Sequence, residues 1–151
     1  MNFSGRSPAL FTIGFTGRTA RSFFEAISEA GVITVIDIRR SNTSQLAGFS
    51  KKGDMPYFLE KLCGARYEHH PELSPEPELL KAFRAGELNW PRFADAFRAQ
   101  MTHGGAPNLL AESDVRGGCL LCACHDHDEC HRRLVAELLS KRFPDLETRH
   151  V

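Results

Sequence analysis

The run Val32-Ile33-Thr34-Val35-Ile36-Asp37-Ile38 limits the possible folds more than any other stretch of the chain. Branching at Cβ favours extended backbone. A run that is apolar at nearly every position has no polar face to offer water. It therefore reads as a strand buried on both sides, the signature of a parallel sheet covered by helices. The preceding residues agree. Leu10 to Phe15 is a short apolar strand, Thr16 to Thr19 is a turn, and Thr19 suits the cap of a helix. Phe23, Phe24, Ile27 and Ala30 then recur at helical spacing before Gly31, a natural helix stop. Strand, helix and strand in about thirty residues make a βαβ unit.

The alternation continues. Asp54 is placed to cap a helix through Tyr57, Phe58, Leu59 and Leu62, ending at Cys63-Gly64, and Ala65 to His69 is a brief third strand. Pro71, Pro75 and Pro77 mark a loop. Short helices are expected around Leu79 to Phe83, from Trp90 to Met101, and from Ala106 to Ser113. Cys119 to Cys124 reads as a fourth strand, Cys130 to Phe143 as an amphipathic helix, and Leu146 to Val151 as a last strand. The expectation is a single Rossmann-like α/β domain spanning 1–151, its core at about 10–150 and residues 1–9 flexible or loosely packed. The mostly parallel sheet has four to five strands with helices on both faces, in the expected order 3-2-1-4-5. The topological switch then falls between the first and fourth strands, whose carboxyl ends flank a ligand crevice.

Bulk properties narrow the function. The formal net charge is zero, which argues against nonspecific binding along a nucleic-acid backbone. No apolar run approaches the roughly 20 residues of a membrane-spanning helix. Met1 to Pro8 has no apolar centre like that of a secretory signal. The expected location is the cytoplasm, where thiols stay reduced. An odd count of five cysteines fits metal binding, thiol chemistry or plain burial better than a disulfide framework.

Four of those cysteines lie between Gly117 and Arg133. Cys122 and Cys124 are two apart on a strand and share a face, whereas Cys119 points the other way and belongs to the core. Cys130 opens a helix, where exposed N–H groups and the helix dipole favour thiolate, and Arg132 and Arg133 add positive charge. One reading makes Cys130 a nucleophile, with His131 as its acid/base partner, Cys122 beside it and Arg132 holding an anion. Another makes Cys122, Cys124, Cys130 and His131 the ligands of a zinc or iron ion, three thiolates and an imidazole suiting tetrahedral zinc. A third leaves the cysteines as small core residues, with His125 to Glu129 a solvated loop.

Asp37 and Arg39 end the central strand on a shared face, as a structural ion pair or as groups that orient and deprotonate a polar substrate. Asn42 and Ser44, in the polar segment that follows, can orient a sugar, phosphate or base edge, or bond to their own backbone. Thr12, near the end of the first strand, joins them as a candidate substrate contact. Gly14 and Gly17 do not make a dinucleotide fingerprint.

Thr12-Ile13-Gly14-Phe15, Asp37-Ile38-Arg39, Asn42 to Phe49 (Asn-Thr-Ser-Gln-Leu-Ala-Gly-Phe), Leu120-Leu121-Cys122-Ala123 and Cys130-His131-Arg132-Arg133 stand in an order and spacing that resembles the domain of unknown function 488 family. The likeness runs from about Phe11 to His150, and the Asn42 to Phe49 segment with the Cys-His-Arg-Arg helix start resembles one subgroup. The resemblance implies a compact α/β domain with shared polar residues at one end of the sheet, and it brings no assigned activity. The matching positions are Asp37, Arg39, Asn42, Ser44, Cys122, Cys130, His131 and Arg132. Many members carry glutamate two residues after the strand cysteine. Cys124 in that place removes a candidate acid and supplies a thiol.

Two expectations follow. The first is a small enzyme acting on a nucleotide, nucleobase or other anionic polar substrate at the carboxyl ends of the strands. The second is a noncatalytic module that senses a nucleotide or metal through the same residues. Neither involves a membrane, and no cofactor is firmly implied beyond zinc or iron as options. Substrate, partner and oligomeric state are not read from the sequence.

Overall fold

The computed structural model describes residues 9–41, 53–124 and 126–151. Among these residues five strands are present: β1 (Ala9–Gly14), β2 (Thr34–Asp37), β3 (Arg66–His69), β4 (Gly118–Cys122) and β5 (Glu147–His150). Six α-helices among the described residues connect them: α1 (Ala20–Ala30), α2 (Met55–Cys63), α3 (Pro77–Arg84), α4 (Trp90–Gly104), α5 (Glu112–Val115) and α6 (His131–Arg142). Short 3-10 turns occupy Pro71–Leu73 and Ala106–Leu109. Every pairing in the sheet is parallel. The domain is the small α/β fold expected from the sequence.

The strand order is β3-β2-β4-β1-β5, which corrects the expected 3-2-1-4-5. Consecutive strands tend to lie side by side. Instead β4 inserts between β2 and β1: Thr34 to Asp37 pair with Gly118 to Leu121, and Phe11 to Gly14 pair with Cys119 to Cys122. All three strands are buried along their whole length, so hydropathy cannot rank one as central. The glycine at the start of β4 lets the strand leave α5 tightly, because a Cβ on Gly118 would sit 2.1 Å from the Asp114 carbonyl oxygen. The polar strands β3 and β5 take the edges.

Alternation along these strands builds two cores. Phe11, Ile13, Val35, Cys119 and Leu121 pack with Phe23, Phe24 and Ile27 of α1 and Leu59 of α2. Leu10, Ile36, Leu120 and Cys122 pack on the opposite face with Phe93, Phe97 and Met101 of α4 and Leu134, Val135 and Leu139 of α6. The chain leaving β1 enters α1 on one face, and the chain leaving β4 enters α6 on the other. The switch point therefore does lie between β1 and β4, even though the two have exchanged places.

Local rules account for most element ends. Thr19 accepts a 3.0 Å hydrogen bond from the Ser22 N–H, and Gly31 closes α1 at φ 71°. Asp54 makes no side-chain cap bond, and α2 begins instead with Pro56 in its first turn. The single helix expected over 106–113 is two short turns, separated where Leu110 and Ala111 are extended. Asn42 to Phe49 and Met1 to Pro8 lie outside the described residues. Among the described residues no helix is long and apolar enough to cross a membrane.

Removing the Thr19 hydroxyl should weaken α1 without touching the sheet. Thr19→Ala is expected to cost about 1 kcal/mol in urea unfolding, and Thr19→Ser to restore most of it.

Candidate functional site

The site grows from the carboxyl end of β4. Strand alternation puts Cys119 in the α1/α2 core, where burial pushes its thiol up to about 12 and keeps it protonated. Cys122, the last residue of β4, points to the α6 side. The chain then passes close over Gly14, where a Cβ would fall 1.6 Å from the Cys124 carbonyl oxygen. That oxygen accepts a 2.9 Å hydrogen bond from Nη1 of Arg132, a guanidinium only 1% exposed.

After the turn through Asp126 to Glu129, Cys130 takes the N-cap position of α6 in extended backbone. It makes no side-chain cap bond. Its thiol turns to Cys122 instead, with the sulfurs 3.2 Å apart. The sulfurs of Cys122, Cys124 and Cys130 all lie within 4.8 Å of one another. His131 stands beside Cys122. Its Nε2 is 3.1 Å from the Ile38 carbonyl oxygen, and a carbonyl can only accept, so Nε2 carries the proton. In the neutral ring Nδ1 then presents a lone pair, 3.8 Å from Cys122 Sγ. The edge of Phe97 meets the ring from the core, with centroids 5.8 Å apart.

Proton sharing is uneven. Hydrogen bonds from Cys124 and Cys130, helped by the Arg132 charge, hold Cys122 well below the ordinary thiol range despite its burial. Cys124 and Cys130, which donate to Cys122, are both raised. The position favoured as thiolate is thus the strand cysteine, while the helix-capping cysteine keeps its proton. Burial lowers His131, so its neutral form dominates near neutral pH.

Asp37 and Arg39 do not share this face. Asp37 is in register with Leu121, whose side chain belongs to the α1/α2 core, and Cys122 points the opposite way. The Asp37 carboxylate accepts from Arg39 Nε at 2.9 Å and Nη2 at 2.7 Å, from the Arg39 backbone N–H at 3.1 Å, and from Tyr67 Oη at 2.5 Å. His69 reaches the Arg39 carbonyl at 2.7 Å, and the guanidinium lies over the Phe15 ring. Burial opposes the Arg39 charge, but the paired carboxylate outweighs it and the pKa is raised. The two groups come near each other at the sheet's end, where the Ile38 carbonyl between Asp37 and Arg39 orients His131.

Thr12 is buried on the α6 side and bonded to His150 Nδ1 at 2.5 Å, and the His150 ring stacks on His127 with centroids 3.8 Å apart. Asn42 and Ser44 lie outside the described residues. Tyr67, Gly14 and His150 are not among the candidate site residues that the sequence offers. A buried carboxylate at the end of an apolar strand requires donors, and Tyr67 falls on the matching parity of the neighbouring strand. His150 carried no such signal.

The family model described as "Domain of unknown function DUF488" matches residues 19–139. The chain belongs to that family. No curated protein and no solved structure matches it. The match runs from the α1 cap through the last turns of α6, so it takes in β4 and the whole cysteine group of this DUF488 chain.

Two measurements probe this geometry. Asp37→Asn leaves Arg39 buried opposite a neutral group and should cost about 3–5 kcal/mol in urea unfolding, with part of the loss recovered in Asp37→Asn/Arg39→Met. The second concerns pH. A histidine whose folded pKa is lowered takes its proton more readily when unfolded, so its contribution is present above about 6.5 and is lost as pH falls toward the folded value. His131 and His150 act in this sense. His70, raised against burial by Glu68 and Glu72, acts in the opposite one: its contribution is full below about 6.5 and lost as pH rises through its folded pKa. Stability of His131→Gln should therefore decline less steeply than that of the native chain from about pH 6.5 to 5.

Proposed function

We propose that this protein is a metal-binding module whose ion is held by the thiolates of Cys122, Cys124 and Cys130 and by Nδ1 of His131. The observation that carries the reading is the convergence of three sulfurs within 4.8 Å, with an imidazole lone pair 3.8 Å from one of them. A tetrahedral zinc site with Zn–S bonds of about 2.3 Å needs sulfurs about 3.8 Å apart, a spacing this group reaches with small side-chain rotations. The donor set is soft, which suits zinc and excludes magnesium and calcium as preferred ions. The Ile38 carbonyl acts as the outer partner that fixes the imidazole tautomer, as ligating histidines require.

Ion binding would replace protons on Cys124 and Cys130, whose pKa values are raised. Affinity should accordingly rise with pH. It would also place positive charge beside Arg132, which the three thiolates offset. Bound ion would tie the end of β4 to the start of α6 and stabilise the switch-point end of the sheet.

A catalytic reading of the same residues has one observation in its favour. Cys122, His131 and the Ile38 carbonyl stand as nucleophile, base and orienting group. It is weakened as a reading of anion chemistry by the arginines, since Arg39 is engaged with Asp37 and Arg132 with the Cys124 carbonyl.

The test is elemental analysis of protein purified without chelator, followed by zinc and cobalt(II) titration. The expected result is one ion per chain and a thiolate-to-cobalt absorption band. Cys124→Ala should weaken binding by at least the roughly 10–100-fold that loss of an outer partner costs. Absence of binding by the reduced protein, together with rapid alkylation of Cys122 that His131→Gln abolishes, would sink the metal reading and favour the catalytic one.

A further inference from the structure

We infer that Cys122 and Cys130 form a reversible intramolecular disulfide, and that Cys124 is the thiol through which an external disulfide reaches them. The proposal deepens the metal reading by supplying its regulation, since closing the bond removes two of the four ligands; the disulfide itself does not require that an ion bind. The sulfurs of Cys122 and Cys130 stand 3.2 Å apart and neither is in a disulfide. Shortening that gap to the roughly 2.05 Å of a disulfide takes a movement of about an ångström. Cys122 comes from a strand end and Cys130 from a helix start, so the bond would join elements already packed together and close only a short loop.

Access divides the three thiols. Cys122 is 3% exposed and Cys130 2%, too little for a disulfide-bearing molecule to reach either one directly. Cys124 is only partly buried and lines a surface cavity of about 480 Å³ with Asp126, Asp128 and Glu129. It is the member of the group that meets solutes. The three carboxylates around it favour a cationic disulfide over an anionic one.

The chemistry is three exchanges. The deprotonated Cys124 sulfur attacks R–S–S–R, a Cys124–S–S–R bond forms, and RS⁻ leaves with the proton that Cys124 released. Cys122, as thiolate, then attacks the Cys124 sulfur and expels the second RS⁻, which takes a proton from solvent. Cys130 attacks the Cys122 sulfur, the Cys122–Cys124 bond breaks as the Cys122–Cys130 bond forms, and the Cys130 proton passes to the departing Cys124 sulfur, which returns as a thiol. Over the sequence, the Cys122 and Cys130 sulfurs give up two electrons, and the external disulfide takes them up and leaves as two thiols.

The experiment uses the whole reduced protein, freed of metal by chelation, with cystamine as the cationic disulfide. Unreacted thiols are alkylated, and cleavage before Asp126 and Asp128 separates Cys130 from the strand cysteines. The expected product links Cys130 to Cys122, leaves Cys63, Cys119 and Cys124 alkylated, and reverts with dithiothreitol. Cys124→Ala, checked for native fold by circular dichroism, should slow its formation on the order of tenfold or more. Stable cystamine adducts at Cys124 without the Cys122–Cys130 link, a link between any other pair, or a wild-type rate in both Cys124→Ala and Cys124→Ser would overturn the proposal. Zinc binding by the reduced protein is read separately. Binding without the link sinks the switch and leaves the metal site, whereas the link without binding sinks the metal site and leaves the switch.

Discussion

The packing of β4 between β1 and β2 governs the rest of the molecule. Backbone hydrogen bonds hold it on both sides, and each face is covered by its own core. A strand so held has no freedom of register or parity, because a one-residue slip would exchange its faces. Cys119 is thereby committed to one core and Cys122 to the α6 side. The carboxyl end of β4 is also committed to the switch point, next to Gly14, where the following backbone can cross β1 only because that residue lacks a Cβ.

From this constraint the electrostatics of the cysteine group follow. Three sulfurs brought together in a largely buried place cannot all ionise, for the same reason that paired carboxylates cannot. One takes the charge, and geometry selects Cys122, toward which the two other thiols point and which the Arg132 charge favours. Cys130 is the instructive case. Its position at the start of a helix is the usual ground for expecting a thiolate. Here its thiol acts as donor to a neighbour and keeps its proton, because a sulfur 3.2 Å away competes more effectively for the negative charge than the helix end does.

The other polar group shows how strand parity can separate residues that sequence proximity to the sheet's end seems to unite. Asp37 and Arg39 form a closed pair with Tyr67 and His69 on the face away from the sulfurs. The alternation of side chains along β2 was visible in the sequence. The register of β2 against β4 was not, and without it Asp37 could not be assigned to the side of Leu121 rather than Cys122. His127 and His150 were still further from view, since their stacking joins a loop after β4 to the last strand.

The sequence by itself determined the strands and most of the helices, the helix stop at Gly31, the cap at Thr19 and the α/β class, because each depends on local backbone preference or on hydrophobic period. It also singled out Cys122, Cys124 and Cys130, whose sulfurs lie together, and His131, which stands beside one of them. Tertiary structure alone decided that β4 rather than β1 lies beside β2, that Asp37 and Arg39 face away from the sulfurs, and that Cys122 rather than Cys130 is the favoured thiolate. Those outcomes depend on which apolar strand is innermost and on sulfur-to-sulfur distances. Three strands that are all fully buried leave the first open, and the second exists only once the strand end and the helix start are packed together.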